Sequence, residues 1–151
     1  MSDVLETTVD KFTFRVPTDR RYTAEGVWLL EEDGRRFARV GLSDFLQQSS
    51  GDVAFAEVRP AGTALAEEDL LATIETIKVT IEIASPIAGT VVEVNPAMAA
   101  APEVINQDPY GGGWLARMEI GDLTGAASRL LEPRDYFARM KGRAEEEVRK
   151  R

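Results

Sequence analysis

Short segments in which apolar and polar residues alternate run through most of this chain, and such alternation is typical of half-buried β-strands. From residue 11 to residue 16, the apolar residues Phe12, Phe14 and Val16 alternate with polar ones until Pro17 ends the segment. Glycine and proline turns separate further segments of this kind, which are residues 26–30, 36–41, 53–58, 89–95 and 114–120. Many short strands between such turns predict an all-β-dominated sandwich or barrel.

The centre of the chain changes its alternation within a few residues. Apolar side chains occupy even positions up to Ile74, and they occupy odd positions from Val79 and Ile81 onward. Because successive side chains of a strand point to opposite faces, a slip of one residue marks a turn or a bulge between Glu75 and Val79. Lys78 lies inside this interval, so we predict that a tight turn between two strands presents it to solvent.

Helices are expected only at the periphery of the sheets. Ser43 can cap a short helix over residues 43–48, and residues 97–104 can form a helical turn. The tail from Pro133 is the best helix candidate, because proline suits the first turn and Asp135 complements the positive end of the helix dipole. Asp33-Gly34 predicts a hairpin turn between the segments at 26–30 and 36–41.

Composition limits the chemistry that the chain can perform alone. Its 151 residues fit one domain and include no histidine and no cysteine, so the usual nucleophiles and general bases are missing. Any chemistry is therefore expected to arrive with an attached cofactor rather than from an intrinsic active site. The acidic clusters lack the spacing of a calcium loop, and Gly111-Gly112-Gly113 is not followed by the Gly-Lys-Ser/Thr of a phosphate loop, so we predict no metal or nucleotide site.

Charge and hydropathy narrow the partners and the compartment. The net charge is −8, and residues 132–151 carry seven basic and five acidic residues, so this tail is basic and the remainder is strongly acidic. An acidic body disfavours nucleic acids and anionic membranes. No apolar run reaches the length of a membrane span, and the acidic N-terminal residues lack the apolar stretch of a secretory signal. We therefore expect a cytoplasmic protein.

Several segments around Lys78 together form a specific pattern, although each of them is short. They are Glu75-Thr76-Ile77-Lys78, Ser85-Pro86-Ile87-Ala88-Gly89, Val91-Val92-Glu93-Val94-Asn95 and the run from Asn106 through Pro109-Tyr110-Gly111-Gly112-Gly113-Trp114 to Leu115, with Gly41-Leu42-Ser43-Asp44-Phe45 and Gly51-Asp52-Val53 before them. Over roughly residues 20–137 the chain resembles the glycine cleavage system H protein family, whose members carry lipoate.

The resemblance implies a fold, a cofactor and a set of site residues. It implies a lipoyl-domain fold (a barrel-sandwich hybrid) with short peripheral helices and a C-terminal helix. By the same resemblance, lipoate is attached covalently to Lys78, and Glu75, Gly62 and Gly89 contribute to recognition of that site. We also expect the two glycines to serve turns, and a positive φ at Gly89 would make a valine there costly.

The resemblance also implies a carrier protein that is not itself an enzyme. A lipoate ligase or lipoyltransferase would load it, and the dehydrogenase and transferase enzymes of its pathway would use the arm, with the carrier acting as a monomer. We expect residues 1–10 to be disordered, residues 11–137 to form the H-protein-like lipoyl domain, and residues 138–151 to form a C-terminal helical extension.

Departures from the family pattern leave alternative functions open. Gly26 and Val27 stand where the family has His and Glu, and bulky Val79 and Ile81 replace small residues after the lysine. One alternative is an H-like lipoate-binding protein of a bacterial sulfur-oxidation pathway with heterodisulfide-reductase-like complexes. Another is an interaction domain that kept the fold without the modification. A biotin carrier fits poorly, because biotin carriers have methionine on both sides of the lysine and this chain has Ile77 and Val79.

Overall fold

The computed structural model describes residues 3–34, 36–121 and 129–150. Its strands are β1 (Val4–Val9), β2 (Phe12–Pro17), β3 (Arg21–Tyr22), β4 (Val27–Glu32), β5 (Phe37–Leu42), β6 (Val53–Val58), β7 (Ala64–Leu65), β8 (Leu70–Thr76), β9 (Thr80–Ala84), β10 (Gly89–Val94) and β11 (Ala116–Ile120). Its helices are α1 (Asp44–Ser50), α2 (Ala97–Ala100), α3 (Val104–Gln107) and α4 (Pro133–Arg149). The strand-rich architecture with small helices and a C-terminal helix confirms the predicted fold class.

Two antiparallel sheets share one apolar core. One sheet has six strands in the order β3-β4-β5-β11-β10-β7, and the other has three in the order β6-β8-β9. Side chains from both sheets meet in a single cluster, in which Leu29, Val40, Ile74, Val91 and Met118 are almost completely buried. The apolar positions of the predicted alternation therefore correspond to side chains that are buried on one face of each sheet.

The two local turn and cap signals of the first half of the chain are confirmed. Strands β4 and β5 pair along their full lengths, and Asp33 and Gly34 in the connection both have positive φ values of 49° and 67°. Ser43 lies just before α1, and its side chain accepts a hydrogen bond from the Leu46 N–H. This cap satisfies one of the backbone donors that a helix start leaves unpaired.

Helix α4 packs onto the body through its first turns. Pro133 occupies the start of the helix, and the ring of Tyr136 stacks on that of Tyr22 with centroids 4.6 Å apart. The Tyr136 hydroxyl lies 2.9 Å from Ser43 Oγ, so α4 and the start of α1 share a buried hydrogen bond. Burial raises the pKa of Tyr136 to about 12, so this phenol keeps its proton even in moderately alkaline solution.

The prediction that residues 1–10 are disordered does not hold for Val4–Val9, which form strand β1, and residues 1 and 2 of that prediction lie outside the described residues. Strand β1 pairs with β2 from Val4 opposite Pro17 to Val9 opposite Phe12, and Val9 is buried. Strand β1 also packs against α4. The pairing with β2 is local, because only Asp10 and Lys11 separate the two strands, whereas the packing on α4 joins β1 to the distant C-terminal helix. The predicted boundary between residues 137 and 138 falls inside α4, so the structure does not divide the chain there.

Of the two glycines predicted to serve turns, Gly62 has a turn conformation, whereas Gly89 is the first residue of strand β10. Gly62 has a φ of 96°, in the left-handed region that glycine enters at little steric cost. Gly89 does not have a positive φ, and the expectation of strain there on that ground is wrong. Instead, a Cβ on Gly89 would lie 2.6 Å from the Glu119 carbonyl oxygen of β11 and 3.2 Å from a methyl of Ile120. Gly89 is therefore required by the close approach of β10 to β11.

We predict that Gly89→Ala lowers the free energy of unfolding by about 1–3 kcal/mol, because the added methyl forces the backbones of β10 and β11 apart. Gly142→Ala is the matched control, since Gly142 lies in α4 with no atom within 4 Å of the added methyl. That substitution should raise stability by up to about 1 kcal/mol through helix propensity. Urea denaturation measures both, and wild-type stability of Gly89→Ala would contradict the steric account.

Candidate functional site

Lys78 lies in the turn that joins β8 to β9, where the sequence predicted it. The Thr76 N–H donates to the Val79 carbonyl at 2.8 Å and closes the turn. The Thr76 hydroxyl oxygen accepts hydrogen bonds from the backbone N–H groups of Val79 at 2.9 Å and Lys78 at 3.2 Å. The side chain of Thr76 thus provides a hydrogen-bond partner for the backbone N–H of Lys78. The sequence position of Thr76 alone did not reveal this role.

A second set of hydrogen bonds fixes this turn to the connection between α1 and β6. The Ile77 N–H donates to the Asp52 carbonyl at 3.0 Å, and the Thr76 hydroxyl lies 2.7 Å from the Ser50 carbonyl, to which it can donate. Gly51 ends α1 with a φ of 96°, and a Cβ at this residue would lie 3.5 Å from the Lys78 Cβ. The turn therefore has a rigid mount on a neighbouring element.

Asn106 holds that neighbouring element in place, and sequence reasoning did not assign it a role. Its side-chain oxygen accepts from the Val53 N–H at 2.8 Å. Its side-chain nitrogen donates to the Gly51 carbonyl at 3.1 Å and to Gln47 Oε1 at 3.0 Å. One amide from α3 thus ties the end of α1 to the start of β6. The only available signal was its position at the start of the matched run that begins at residue 106.

The Lys78 side chain leaves this mount toward solvent. It is exposed, and its Nζ donates to the Ser49 carbonyl at 3.1 Å. No salt bridge to Lys78 is found within residues 3–34, 36–121 and 129–150. Large apolar side chains beside it are also exposed, with Ile77 at 80%, Phe55 at 67% and Val79 at 43% of their full accessibility. A primary amine in this setting is accessible to an enzyme that approaches the end of the hairpin.

Of the other predicted site residues, only Glu75 lies on the same hairpin as Lys78. Glu75 is exposed on β8, where it pairs with Phe55 on one side and with Thr80 on the other. Residues that pair across a sheet share a face, so these three side chains are neighbours on the outer face of the three-stranded sheet.

Gly89 belongs to the six-stranded sheet, and Gly62 lies in the turn before β7 of that sheet. The Gly62 N–H donates to the Val91 carbonyl of β10 at 2.7 Å, and Gly89 pairs with Leu65 of β7. Both glycines therefore contribute to the surroundings of β10, and the hydrogen bond and strand pairings found for them among the described residues do not involve Lys78.

Three large aromatic residues, Trp28, Tyr110 and Trp114, have packing roles. Trp28 is buried, and its indole N–H donates to the Pro109 carbonyl at 3.0 Å. The Tyr110 hydroxyl donates to the Arg15 carbonyl at 2.6 Å, and burial raises the pKa of this phenol. Trp114 packs against a second apolar cluster, which includes Trp28 and Tyr136, and the guanidinium of Arg39 lies over its ring.

Other kinds of site are not found in the part of the chain that the structure describes. No group of three or more His, Cys, Asp or Glu residues there could hold a metal ion. No helix among those residues is both long enough and apolar enough to cross a membrane.

Steric crowding explains why residue 26 is a glycine. Gly26 has a φ of 100° and is buried. A Cβ there would lie 2.8 Å from Ser43 Oγ and 3.0 Å from the Tyr136 hydroxyl. The hydrogen-bonded pair of Ser43 and Tyr136 thus leaves no room for a side chain at residue 26. Val27, the next residue, is buried in the main core.

Comparisons with known proteins agree with this architecture. A family model for the glycine cleavage H-protein matches residues 20–143. A glycine cleavage system H protein from Chlorobium luteolum is 41% identical over 115 residues, which are 76% of this chain and 90% of that relative. One from Beutenbergia cavernae is 40% identical over 127 residues, which are 84% of this chain and 98% of the relative.

Among solved structures, a glycine cleavage system H protein from Mycobacterium marinum has a similar fold. It aligns with a TM-score of 0.69 at 29% identity and covers 80% of this chain and 95% of that chain. The matched residues 20–143 include the hairpin that bears Lys78. These comparisons confirm the family resemblance and the lipoyl-domain fold predicted from the sequence.

We predict that Asn106→Ala loosens the mount of Lys78. The substitution leaves the Val53 N–H and the Gly51 carbonyl without their side-chain partner, and this should cost about 1–3 kcal/mol of unfolding free energy. Amide hydrogen exchange should also become faster at Ile77. Gln107→Ala, at the exposed neighbouring position of α3, is the control and should change neither quantity. Unchanged exchange at Ile77 in Asn106→Ala would contradict the proposed support.

Proposed function

The chain belongs to the glycine cleavage H-protein family and is a lipoyl carrier of the H-protein type, and from this premise we propose that lipoate is bound by an amide bond to Nζ of Lys78. The observation that carries the proposal is the turn itself. Lys78 is exposed at the end of a hairpin, and hydrogen bonds to Ser50 and Asp52 fix the backbone beneath it. A modifying enzyme can therefore reach the amine without unfolding the domain.

The residues of the turn fit a lipoyl group. An amide formed at Nζ keeps one N–H, which can still donate to the Ser49 carbonyl that now lies 3.1 Å away. Bound lipoate supplies a disulfide that can be reduced to two thiols and that can carry an organic group on one sulfur. The protein supplies the fixed turn and the long Lys78 side chain. A tethered arm raises the effective concentration of its cargo at each partner. No catalytic role of the chain's own side chains is required, and we propose that the protein is not itself an enzyme.

Glu75 is proposed as a recognition residue for the loading enzyme, a lipoate ligase or lipoyltransferase. Its carboxylate is exposed three residues before Lys78, on the same hairpin. Gly62 and Gly89 are proposed to contribute indirectly, because they shape the β7–β10 contact rather than contacting the lysine.

The relatives support glycine cleavage as the pathway. Curated relatives at about 40% identity are named glycine cleavage system H proteins, which does not favour the sulfur-oxidation alternative. We propose that the partners are the decarboxylase, the aminomethyltransferase and the lipoyl dehydrogenase of glycine cleavage, with the carrier acting as a monomer. The acidic body, with a net charge of −8 over the whole chain, suits basic docking surfaces on these enzymes.

We predict that incubation with a lipoate ligase, lipoate and ATP adds one lipoyl increment to the intact mass, and that peptide mapping locates it on Lys78. Lys78→Arg should remove the increment, because it keeps a positive charge but has no primary amine. Lys11→Arg and Lys141→Arg are the controls and should be loaded like the wild type, since both lysines lie outside the β8–β9 hairpin.

The same reaction tests Glu75 through its initial rate. Glu75→Gln should lower the rate about tenfold, the loss expected for a hydrogen bond to a charged group. Glu57→Gln, which changes an exposed carboxylate further along the same sheet face, should have little effect.

A lipoyl increment on another lysine, or an increment retained in Lys78→Arg, would contradict the attachment site. No increment on the folded wild type would favour an unmodified interaction domain.

A further inference from the structure

A groove built from both ends of the chain lies beside Lys78. It has a volume of about 430 Å³. Its apolar wall is formed by Val9, Phe12, Phe14, Ala144 and Val148. Lys78 is itself a lining residue, and its Nζ donates to the carbonyl of Ser49, another lining residue. The apolar wall and the amine therefore belong to one patch of the surface.

The apolar wall comes from segments that extend beyond the family match. The match covers residues 20–143, whereas the wall belongs to the β1–β2 hairpin and to the last turns of α4. Hydrogen bonds hold the hairpin against α1. Gln48 Nε2 donates to the Thr13 carbonyl at 2.9 Å, and the Arg15 N–H donates to Asp44 Oδ2 at 3.0 Å. The added segments therefore form a fixed surface beside the lysine.

Attachment of lipoate requires one enzyme to reach the amine of Lys78 itself. Nζ attacks the carbonyl carbon of lipoyl adenylate, which a ligase makes from lipoate and ATP. A C–N bond forms, AMP leaves with the electron pair of the broken C–O bond, and Nζ loses a proton. The active centre of the loading enzyme must then lie at bonding distance from Nζ, so this enzyme has to cover the surface around Lys78. The enzymes of the pathway act on the dithiolane at the far end of the arm and have no such requirement.

The lining of the groove has the chemistry of a pocket for an interface anchor. Phe12 is 37% exposed, and its ring lies against that of Phe14, while Val148 faces the groove from α4. Gln48 and Glu147 add polar groups to the same lining. Apolar pockets with polar surroundings receive the aromatic or aliphatic side chains that contribute most to binding at protein interfaces. The carboxylate of Glu147 is complementary to a basic group beside such a side chain.

We propose that this groove is a docking site for the enzyme that loads lipoate, which inserts an apolar side chain there and places a basic group against Glu147; the inference rests on the attachment of lipoate to Lys78. The groove adds a contact outside the β8–β9 hairpin to the recognition proposed for Glu75. A second groove, near Val27 and Glu82, does not have Lys78 among its lining residues. An enzyme seated at the amine is therefore not required to cover that second groove.

The test measures the steady-state kinetics with which the lipoate ligase of the source organism modifies the full-length protein, with lipoate and ATP in excess. Phe12→Ser and Val148→Ser should each raise the KM for the carrier about tenfold, equivalent to about 1.4 kcal/mol of lost binding, and leave kcat nearly unchanged. The two substitutions lie on different elements, so Val148→Ser tests the groove independently if Phe12→Ser folds poorly.

Two controls separate docking from effects on the fold or on the amine. Val4→Ser changes another exposed apolar residue of the β1–β2 hairpin that does not line the groove, and its KM should equal that of the wild type. Acylation of Lys78 by a small reagent, N-hydroxysuccinimidyl acetate, is followed by peptide mapping. Its rate should be the same in the wild type and all variants, because the groove contacts the enzyme and does not change the amine.

The outcomes separate the docking site from the proposed function. An unchanged KM in both Phe12→Ser and Val148→Ser, or an equal rise in Val4→Ser, would overturn the docking site and leave the attachment site intact. Slower acylation by the small reagent in the groove variants would also overturn it, since the substitutions would then act on the amine. No lipoyl increment on Lys78 of the wild type would overturn the proposed function and the docking site together.

Discussion

Hydrogen bonds between the β8–β9 turn and the connection after α1 determine where Lys78 leaves the fold. Two of them involve the turn directly, through the Thr76 hydroxyl and the Ile77 N–H. Asn106 then holds the connection itself by binding Gly51 and Val53. Because each of these groups would otherwise be an unpaired polar atom at the edge of the core, the contacts favour one arrangement of the turn. A carrier needs such a mount, since its partners must find the arm in a constant place.

The sequence predicted the elements that local pattern controls and missed those that depend on distant contacts. The change of alternation between Ile74 and Val79 located the turn correctly, because one face of each strand is buried. Strand Val4–Val9 was missed, because its short hairpin with β2 is supported by packing on α4, which lies at the other end of the chain. Gly89 was recognised as constrained, but its neighbour in β11 could be known only from the strand order. The role of Asn106 likewise depends on which elements the fold brings together.

Packing explains a departure from the family pattern that sequence alone connected with a change of pathway. A side chain at Gly26 would collide with Ser43 and Tyr136, whose hydroxyls form the buried contact between α1 and α4. The departure is therefore coupled to the way in which the C-terminal helix is seated, and it does not require a different cargo. The end of the same helix, with the β1–β2 hairpin, also builds the groove beside Lys78. Both features are local to this chain, within the fold that it shares with the family.

The most direct test of this account is turnover in the pathway that its relatives serve. The lipoylated protein would be supplied with glycine to purified glycine decarboxylase and aminomethyltransferase, and formation of products would be compared with that of a standard H protein. We expect comparable turnover that disappears in Lys78→Arg. No turnover from a folded protein with lipoate on Lys78, together with loading of its arm by a sulfur-transfer partner, would contradict the account and support a carrier of sulfur oxidation.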